Sequence, residues 1–294
     1  MTEKKEILLS IITYGRNDNY LGNFPQRLKL NLSKLVDNIS KLGTNDIEIV
    51  VSDWGSDIKL SDYLEINQND FLNWVYIPKE VCRKYTDSPF STSHAANAAF
   101  RRSKGKFILV IDADGYIPFD SFKKMYELLL TSDDNAFYWA SRWHISEKLH
   151  ESCDGIENLD TEIEKWETSG RTCWPPIEVD HGVFPILSKI SLSQFGGCAI
   201  GTLLSRKICE ESTFFYEELT RWGFVDIEMH NRYTRQYKCM GDLYDLGMTF
   251  FHLCHKGIGG DVNGYNQSNV APKFKANEDG WGLINEQDVI IYKN

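Results

Sequence analysis

An α/β fold organised on a largely parallel sheet is what the sequence predicts, and three observations carry it. Ile7–Thr13 and Ile47–Ser52 are short β-branched runs on either side of Phe24–Leu42, where Leu28, Leu32, Leu35, Ile39 and Leu42 recur at spacings of 3 and 4. That is strand, amphipathic helix, strand: a βαβ unit, which requires parallel strands and a right-handed crossover. Phe107–Ile111 is an apolar run that stops abruptly at Asp112-Ala113-Asp114. Such uninterrupted runs suit strands buried on both faces, as in parallel sheets. Finally, Thr13–Asp18, Asp53 and Asp112/Asp114 each follow or end a predicted strand. In an open parallel sheet the C-terminal strand ends share one edge, where ligands bind.

The remaining elements follow in order. Leu72–Pro78 reads as a third strand, and Ser91–Ser103 as an Ala-rich helix with Ser or Thr available to cap it. Phe119–Leu130 is a helix with Phe122, Met125, Tyr126 and Leu129 on one face, and Ala136–Ala140 a further strand. Residues 145–195 change texture: acidic residues cluster between Glu147 and Glu167, then Trp174-Pro175-Pro176 follows. This stretch reads as a long insertion or flexible substrate-facing region with no core of its own. After Gly196-Gly197 the pattern returns, with a helix around Ser205–Glu211, a helix over Asp226–Arg235, and a strand within Leu246–His255. The tail is Gly/Asn-rich and closes on an apolar DVIIY run.

Composition excludes several classes. The formal net charge of −10 leaves no basic footprint for nucleic acid and no polybasic membrane patch. An anionic ligand must then be met by local devices: a metal, helix N-termini or a few placed cations. No apolar run approaches the roughly 20 residues of a membrane span, and the N-terminal apolar run lacks the form of a signal peptide. Seven scattered cysteines without a C-x-x-C pair fit reduced thiols, and a zinc site of thiolates is not expected. A cytoplasmic protein is the expectation, with room for peripheral membrane association.

Side chains two apart on a strand point the same way, so Asp112 and Asp114 project together at its end. Two carboxylates there are costly unless something positive lies between them, and a divalent metal carrying a diphosphate suits the position. Asp, Gly and Pro are also ordinary turn residues, so this stretch alone leaves a solvated turn equally open.

Several segments resemble the motifs of family 2 glycosyltransferases and their galactosyltransferase-like relatives, inverting enzymes of GT-A fold. SIITYGRND resembles the first strand and nucleotide loop, with Gly15 where Asn is common. IEIVVSDWGSD resembles the second acidic strand, with Trp54 replacing an aspartate. HAANAAFRRSKGKFILVIDADGYIP resembles the block ending in the metal-binding D-x-D. TRWGFVDIEMHNRY resembles the W-G-x-E-D block, with Val225 where Glu is usual, and FHLCHKG resembles the late histidine motif.

The resemblance spans about Ile7–Gly257 and implies an α/β, Rossmann-like nucleotide-diphospho-sugar transferase fold: a mixed, mostly parallel sheet flanked by helices. It implies one catalytic domain over residues 1–260, with a nucleotide-sugar half to about 135, an acceptor half beyond, and a tail over 261–294 on or near the active site. It assigns Asp114 and His255 to Mn²⁺ or Mg²⁺, with Asp112 on the ribose or assisting the metal. His252 is either a core residue or a neighbour of that site. Thr13, Tyr14, Arg16, Asp53, His94 and Asn97 would line the donor nucleotide, Asp53 accepting from the uracil N–H. His94 stands where relatives often carry Arg. Arg101 and Arg102 either reach the cleft or form a solvated face. Asp226 would be the general base, with Glu228 as its rival. Trp222, Gly223 and Glu228 would face the acceptor, and Trp222, Trp174 and Trp143 are candidate sugar platforms.

The implied reaction moves a hexose or N-acetylhexosamine from UDP-galactose, UDP-N-acetylgalactosamine or UDP-glucose to a glycan hydroxyl. Its setting would be bacterial-type surface polysaccharide or glycoconjugate synthesis. A nucleotidyltransferase and a non-catalytic glycan- or nucleotide-binding protein are the alternatives. The first normally opens on a Gly-rich loop, whereas Tyr14–Asp18 has one Gly.

Overall fold

The computed structural model describes residues 6–66, 69–170, 183–185, 199–256, 264–266 and 277–293. Four parallel strands form its first half: β1 (Leu9–Gly15), β2 (Ile47–Trp54), β3 (Leu72–Ile77) and β4 (Phe107–Ile111), side by side as β3-β2-β1-β4. β2 is buried along its whole length. Alternation sorts its neighbours onto two faces. Ile11, Ile49, Val51 and Leu109 pack under the helix α1 (Phe24–Leu42), through Leu28, Leu32 and Leu35. Ile12, Val50, Ile108 and Val110 pack under α4 (Thr92–Arg102), whose run of alanines lets the helix lie close to the sheet. The predicted βαβ unit is therefore present, with helices on both faces. Two short helices between β2 and α4, α2 (Leu60–Leu64) and α3 (Lys79–Tyr85), carry too few turns for periodicity to show.

The second half is mixed. After β5 (Gly115–Tyr116) and α5 (Phe119–Thr131) comes β6 (Phe137–Ile145). α6 (Glu147–Ser152), α7 (Ile156–Thr168), β7 (Val183–Pro185), β8 (Ala199–Ser205) and α8 (Arg206–Ser212) follow. The last elements are α9 (Val225–Gln236), β9 (Gly241–Asp242), β10 (Phe250–Leu253) and β11 (Ile290–Tyr292). β8 runs antiparallel between β4 and β6, and β10 lies parallel to β6. The main path through the sheet is β11-β3-β2-β1-β4-β8-β6-β10-β5.

One expectation is corrected here. Residues 147–168 are not an irregular insertion without a core. α6 and α7 bury Leu149, Leu159, Ile163 and Trp166 against Tyr116, Phe251 and Leu253. The i, i+4, i+7 spacing of Leu159, Ile163 and Trp166 is the helical signal, set among acidic residues that face outward. Lys34 of α1 clamps α7 through Asp160 at 2.5 Å, and the Tyr116 hydroxyl donates to the same carboxylate at 2.8 Å. Trp174 and Gly196-Gly197 lie outside the described residues.

Two positions show how tightly the parallel half is built. Ser10 donates to Glu48 at 2.7 Å and accepts from the Gly105 amide at 2.7 Å, while Asn73 also donates to Glu48 at 3.3 Å. A Cβ at Gly105 would run into the Ser10 backbone nitrogen and its hydroxyl. Ser10 cannot easily give way, since β1 is hydrogen-bonded to β2 on one side and β4 on the other. His94, only 4% exposed, is enclosed by the Trp54 and Tyr85 rings, its Nδ1 2.9 Å from the Ser91 hydroxyl and its Nε2 3.9 Å from Glu217. Burial pushes its pKa down to about 4.

Gly105→Ala is expected to lower stability by about 1–3 kcal/mol, the usual cost of overpacking, as read from the urea midpoint. A midpoint equal to that of wild type would show that the Ser10 contact yields. His94 gives a pH signature. Its folded pKa lies below that of the unfolded chain, so the unfolded state binds more protons between about 6.5 and 4, and this contribution to stability falls as pH drops through that window. Replacing it by Gln should shrink the loss of urea midpoint between pH 7 and pH 5. An unchanged loss would mean that His94 is not held neutral.

Candidate active site

The acidic loop after β4 is held from below by a polar stripe on α1. Arg27, Asn31, Lys34 and Asn38 are all buried, at successive spacings of 4, 3 and 4, beside the apolar stripe of the same helix. Asn31 donates to the carbonyls of Asp112 and Ala113 at 3.0 and 3.2 Å, and Asn38 to that of Ile117 at 2.8 Å. Arg27 places its Nε 3.7 Å from Asp114. β10 closes the loop from the other side. Phe251 pairs with Tyr116 and His252 with Gly115, and the Leu253 amide donates to the Asp114 carbonyl at 2.9 Å.

That register brings two imidazoles to one carboxylate. His252 Nε2 lies 3.4 Å and His255 Nε2 3.5 Å from the same Asp114 oxygen. The structure thus puts His252 as close to Asp114 as His255, although the sequence left it open. Burial alone would raise the Asp114 pKa, but attraction and hydrogen bonding from His252, then His255 and Arg27, outweigh it and hold the carboxyl below its usual range. Burial pushes His255 down to about 4, which keeps that imidazole neutral and its lone pair free near pH 7. One ionised carboxylate and two imidazoles whose ligand atoms fall within 4.8 Å of each other form a donor set that fits a divalent cation such as Mn²⁺.

A second group of side chains faces the loop across the cleft. The Tyr14 hydroxyl donates to Asp112 at 3.3 Å, and Arg142 on β6 sits 3.5 Å from the other Asp112 oxygen. Asp226, in the first turn of α9, lies within electrostatic reach of Asp112, Tyr14 and Arg142. Its side chain opens on solvent, yet the surrounding protein keeps enough water away to raise its pKa against the pull of Arg142. Asp112 is raised more strongly, by burial first and then by the charges of Asp114 and Asp226. Neighbouring carboxyls driven in opposite directions are a mark of functional sites. The backbone before Asp226 is strained in keeping with this. Gly223 and Phe224 both take positive φ, 81° and 62°, the second rare for an aromatic residue. Trp222 and Tyr265, 41% and 50% exposed, meet edge to face at 5.3 Å, and Asn266 fastens the segment by donating to the carbonyls of Arg221 and Gly223.

Tyr14, Asp112, Asp114, Asp226 and His255 are therefore brought together, and Trp222 and Gly223 lie beside Asp226. Other expected site residues are placed differently. Thr13 is fully buried, its hydroxyl without a hydrogen-bond partner. Arg16 binds Asp18 and the Pro89 carbonyl. Asp53 is fully buried and accepts from the Ser56 hydroxyl and, at 2.8 Å, the Leu60 amide, so both oxygens already hold internal donors. Burial raises its pKa to about 6, even against these donors.

Asn97 is not on the cleft. It donates to the Phe215 carbonyl at 2.8 Å and to Glu217 at 3.0 Å, and accepts from the Phe215 amide. His94, on the buried side of α4, is likewise enclosed. Glu228 is 1% exposed, with both oxygens on Arg232 at 2.7 and 3.0 Å, so it is neither placed as a rival base nor free to meet an acceptor. Arg101 stacks on Trp281, and Arg102 donates to the Gly282 and Leu283 carbonyls, so this pair holds the tail. Trp143 packs edge-on against Trp166 at 4.7 Å. Arg27, Asn31 and Arg142 were not foreseen. The helical spacing of Arg27 and Asn31 could have revealed them, whereas nothing local marks Arg142 as lining a cleft.

Comparison with known proteins agrees with this architecture. The family model described as glycosyl transferase family 2 matches residues 12–178. No curated protein matches the chain. Among solved structures, S. aureus TarS in complex with UDP-GlcNAc is similar with a TM-score of 0.51 at 11% identity, over 86% of this chain and 60% of that one. GalNAc-T7 with UDP, GalNAc and Mn2+ is similar with a TM-score of 0.52 at 10% identity, over 90% of this chain and 46% of that one. This chain thus spans less than two thirds of either neighbour, and at such identities the likeness is one of fold. The mixed sheet covered by helices on both faces is that of a GT-A fold, and the chain belongs to glycosyl transferase family 2.

Proposed function

We propose that this protein is a metal-dependent inverting glycosyltransferase that moves a sugar from a UDP-sugar to a hydroxyl of a glycan acceptor. The observation that carries the proposal is the pairing across one cleft of Asp226 with the Asp112/Asp114 loop, where two histidines converge on Asp114. Asp226 accepts the proton of the acceptor hydroxyl as that oxygen attacks the anomeric carbon from the side opposite the leaving diphosphate. Its raised pKa suits a base that must hold the proton it takes. Asp114, His252 and His255 would hold the divalent cation, which would supply Lewis-acid stabilisation of the departing diphosphate. Arg142 adds a fixed positive charge beside Asp112, on the side where negative charge builds up. Tyr14, hydrogen-bonded to Asp112, orients that carboxylate toward the ribose.

Trp222 and Tyr265 offer exposed aromatic faces beside Asp226 and form the acceptor platform. For the nucleotide, support comes from the resemblance of the first strand and its loop to UDP-sugar enzymes and from two fold neighbours solved with UDP or UDP-GlcNAc. The favoured donors are UDP-galactose, UDP-N-acetylgalactosamine and UDP-glucose. The surrounding pathway is polysaccharide or glycoconjugate synthesis, carried out in the cytoplasm.

Two measurements test this. In a thermal-shift panel with Mn²⁺, UDP should raise the melting temperature more than GDP, dTDP or CDP, because a ligand of the folded state stabilises it. A GDP preference would overturn the uridine assignment. With UDP-sugars, wild type should release UDP only in the presence of a divalent cation. Asp226→Asn should then lose about 10²–10⁴-fold in rate while binding UDP as before. No metal-dependent turnover of any UDP-sugar by wild type would leave a binding protein of the same fold.

A further inference from the structure

The cleft wall behind Asp114 carries a second set of ligand-type side chains, two of which, His144 and Cys254, the transferase chemistry does not use. His144 on β6 stands opposite His252 on β10 in the parallel ladder, with ring centroids 4.9 Å apart. Cys254, two residues beyond His252, lies with its Sγ 2.9 Å from His144 Nδ1. Its backbone is held on both sides: the amide donates to the Ile145 carbonyl at 2.9 Å, and the carbonyl meets His150 Nε2 at 2.8 Å. Ligand atoms of His144, His252 and Cys254 all lie within 4.8 Å of one another. Two imidazoles on adjacent, hydrogen-bonded strands and a thiol just past the end of β10 need little rearrangement to close on an ion.

We propose that His144, His252 and Cys254 form a second cation site, selective for a thiophilic divalent ion such as Zn²⁺, whose occupation inhibits turnover by drawing His252 away from Asp114. Selectivity follows from the donors. A thiolate favours zinc over manganese, and affinity rises along the divalent series in the same direction. On binding, a zinc–sulfur bond forms, the Cys254 thiol proton leaves to solvent, and two imidazole nitrogens complete three of the four positions of a tetrahedral site. Water takes the fourth. The Asp114 set consists of one carboxylate and two imidazoles, which suits a harder ion. His252 belongs to both sets, so the two sites compete for it. The existence of the second site does not depend on the transferase assignment; its effect on turnover does.

Cobalt reads the site directly. Full-length protein titrated with Co²⁺ alone should develop a near-ultraviolet thiolate-to-cobalt charge-transfer band, which one equivalent of Zn²⁺ abolishes. Cys254→Ser should lack the band, and His144→Gln should weaken zinc binding about tenfold or more, in line with the loss of a ligand or of its support. A band that persists in Cys254→Ser would place the metal on another thiol and overturn the proposal. In turnover assays with saturating Mn²⁺, Zn²⁺ should inhibit wild type and spare Cys254→Ser; equal inhibition of both would overturn the competition for His252. If wild type shows no turnover at all, the cobalt band still decides the site, so the two failures are distinct.

Discussion

The buried polar stripe of α1 is the constraint on which the site depends. An acidic loop at a strand end would swing freely if only its side chains were engaged. Here its carbonyls are bound: Asn31 to those of Asp112 and Ala113, Asn38 to that of Ile117. Two asparagines two helical turns apart thus fix the loop's backbone against the sheet, and Arg27 sets the charge next to Asp114. The helix that covers the parallel sheet through its leucines also positions the chemistry through its polar edge. Lys34, between them in the stripe, carries the same logic outward to Asp160 on α7.

Electrostatics then divides two similar carboxyls. Asp114 receives two imidazoles and a guanidinium and stays ionised, whereas Asp112 faces Asp226 across the cleft and is raised. The positive charge of Arg142 pulls against the rise of both carboxyls. It sits on β6, a strand whose neighbours run antiparallel and parallel to it on its two sides, so the cation reaches the parallel half from the mixed half. The same strand supplies His144, which explains why two ligand sets meet at His252.

Much of this was legible because it obeys periodicity. β1, α1 and β2 declare themselves by spacing, and Phe107–Ile111 by an apolar run that ends on two acids. Asp226 was legible from the motif that surrounds it. What escaped has physical reasons. The helical pattern of Leu159, Ile163 and Trp166 was masked by acidic residues, because a helix needs only one apolar stripe to dock. Asn97 and Glu228 have the residue types of a site but spend their polar atoms on a loop and on Arg232. A sequence lists polar groups without saying which are already paired, and pairing is a property of the fold. Asp53 is the intermediate case, at the predicted strand end yet turned inward to hold the loop that follows.

The last described strand closes the far edge of the sheet. β11 pairs antiparallel with β3, while Arg101 stacks on Trp281, and Lys84 binds Glu286 across 202 residues of chain. During synthesis, β1, β2 and β3 can assemble with α1 long before this partner emerges. Until it does, β3 presents an unpaired row of amides and carbonyls, the kind of edge on which chains join to one another. The nascent protein can therefore hold β1, β2 and β3 against α1 while the seam is still open. The segment that seals the seam is also the one that bolts α4 in place, through Arg102 and the carbonyls of Gly282 and Leu283.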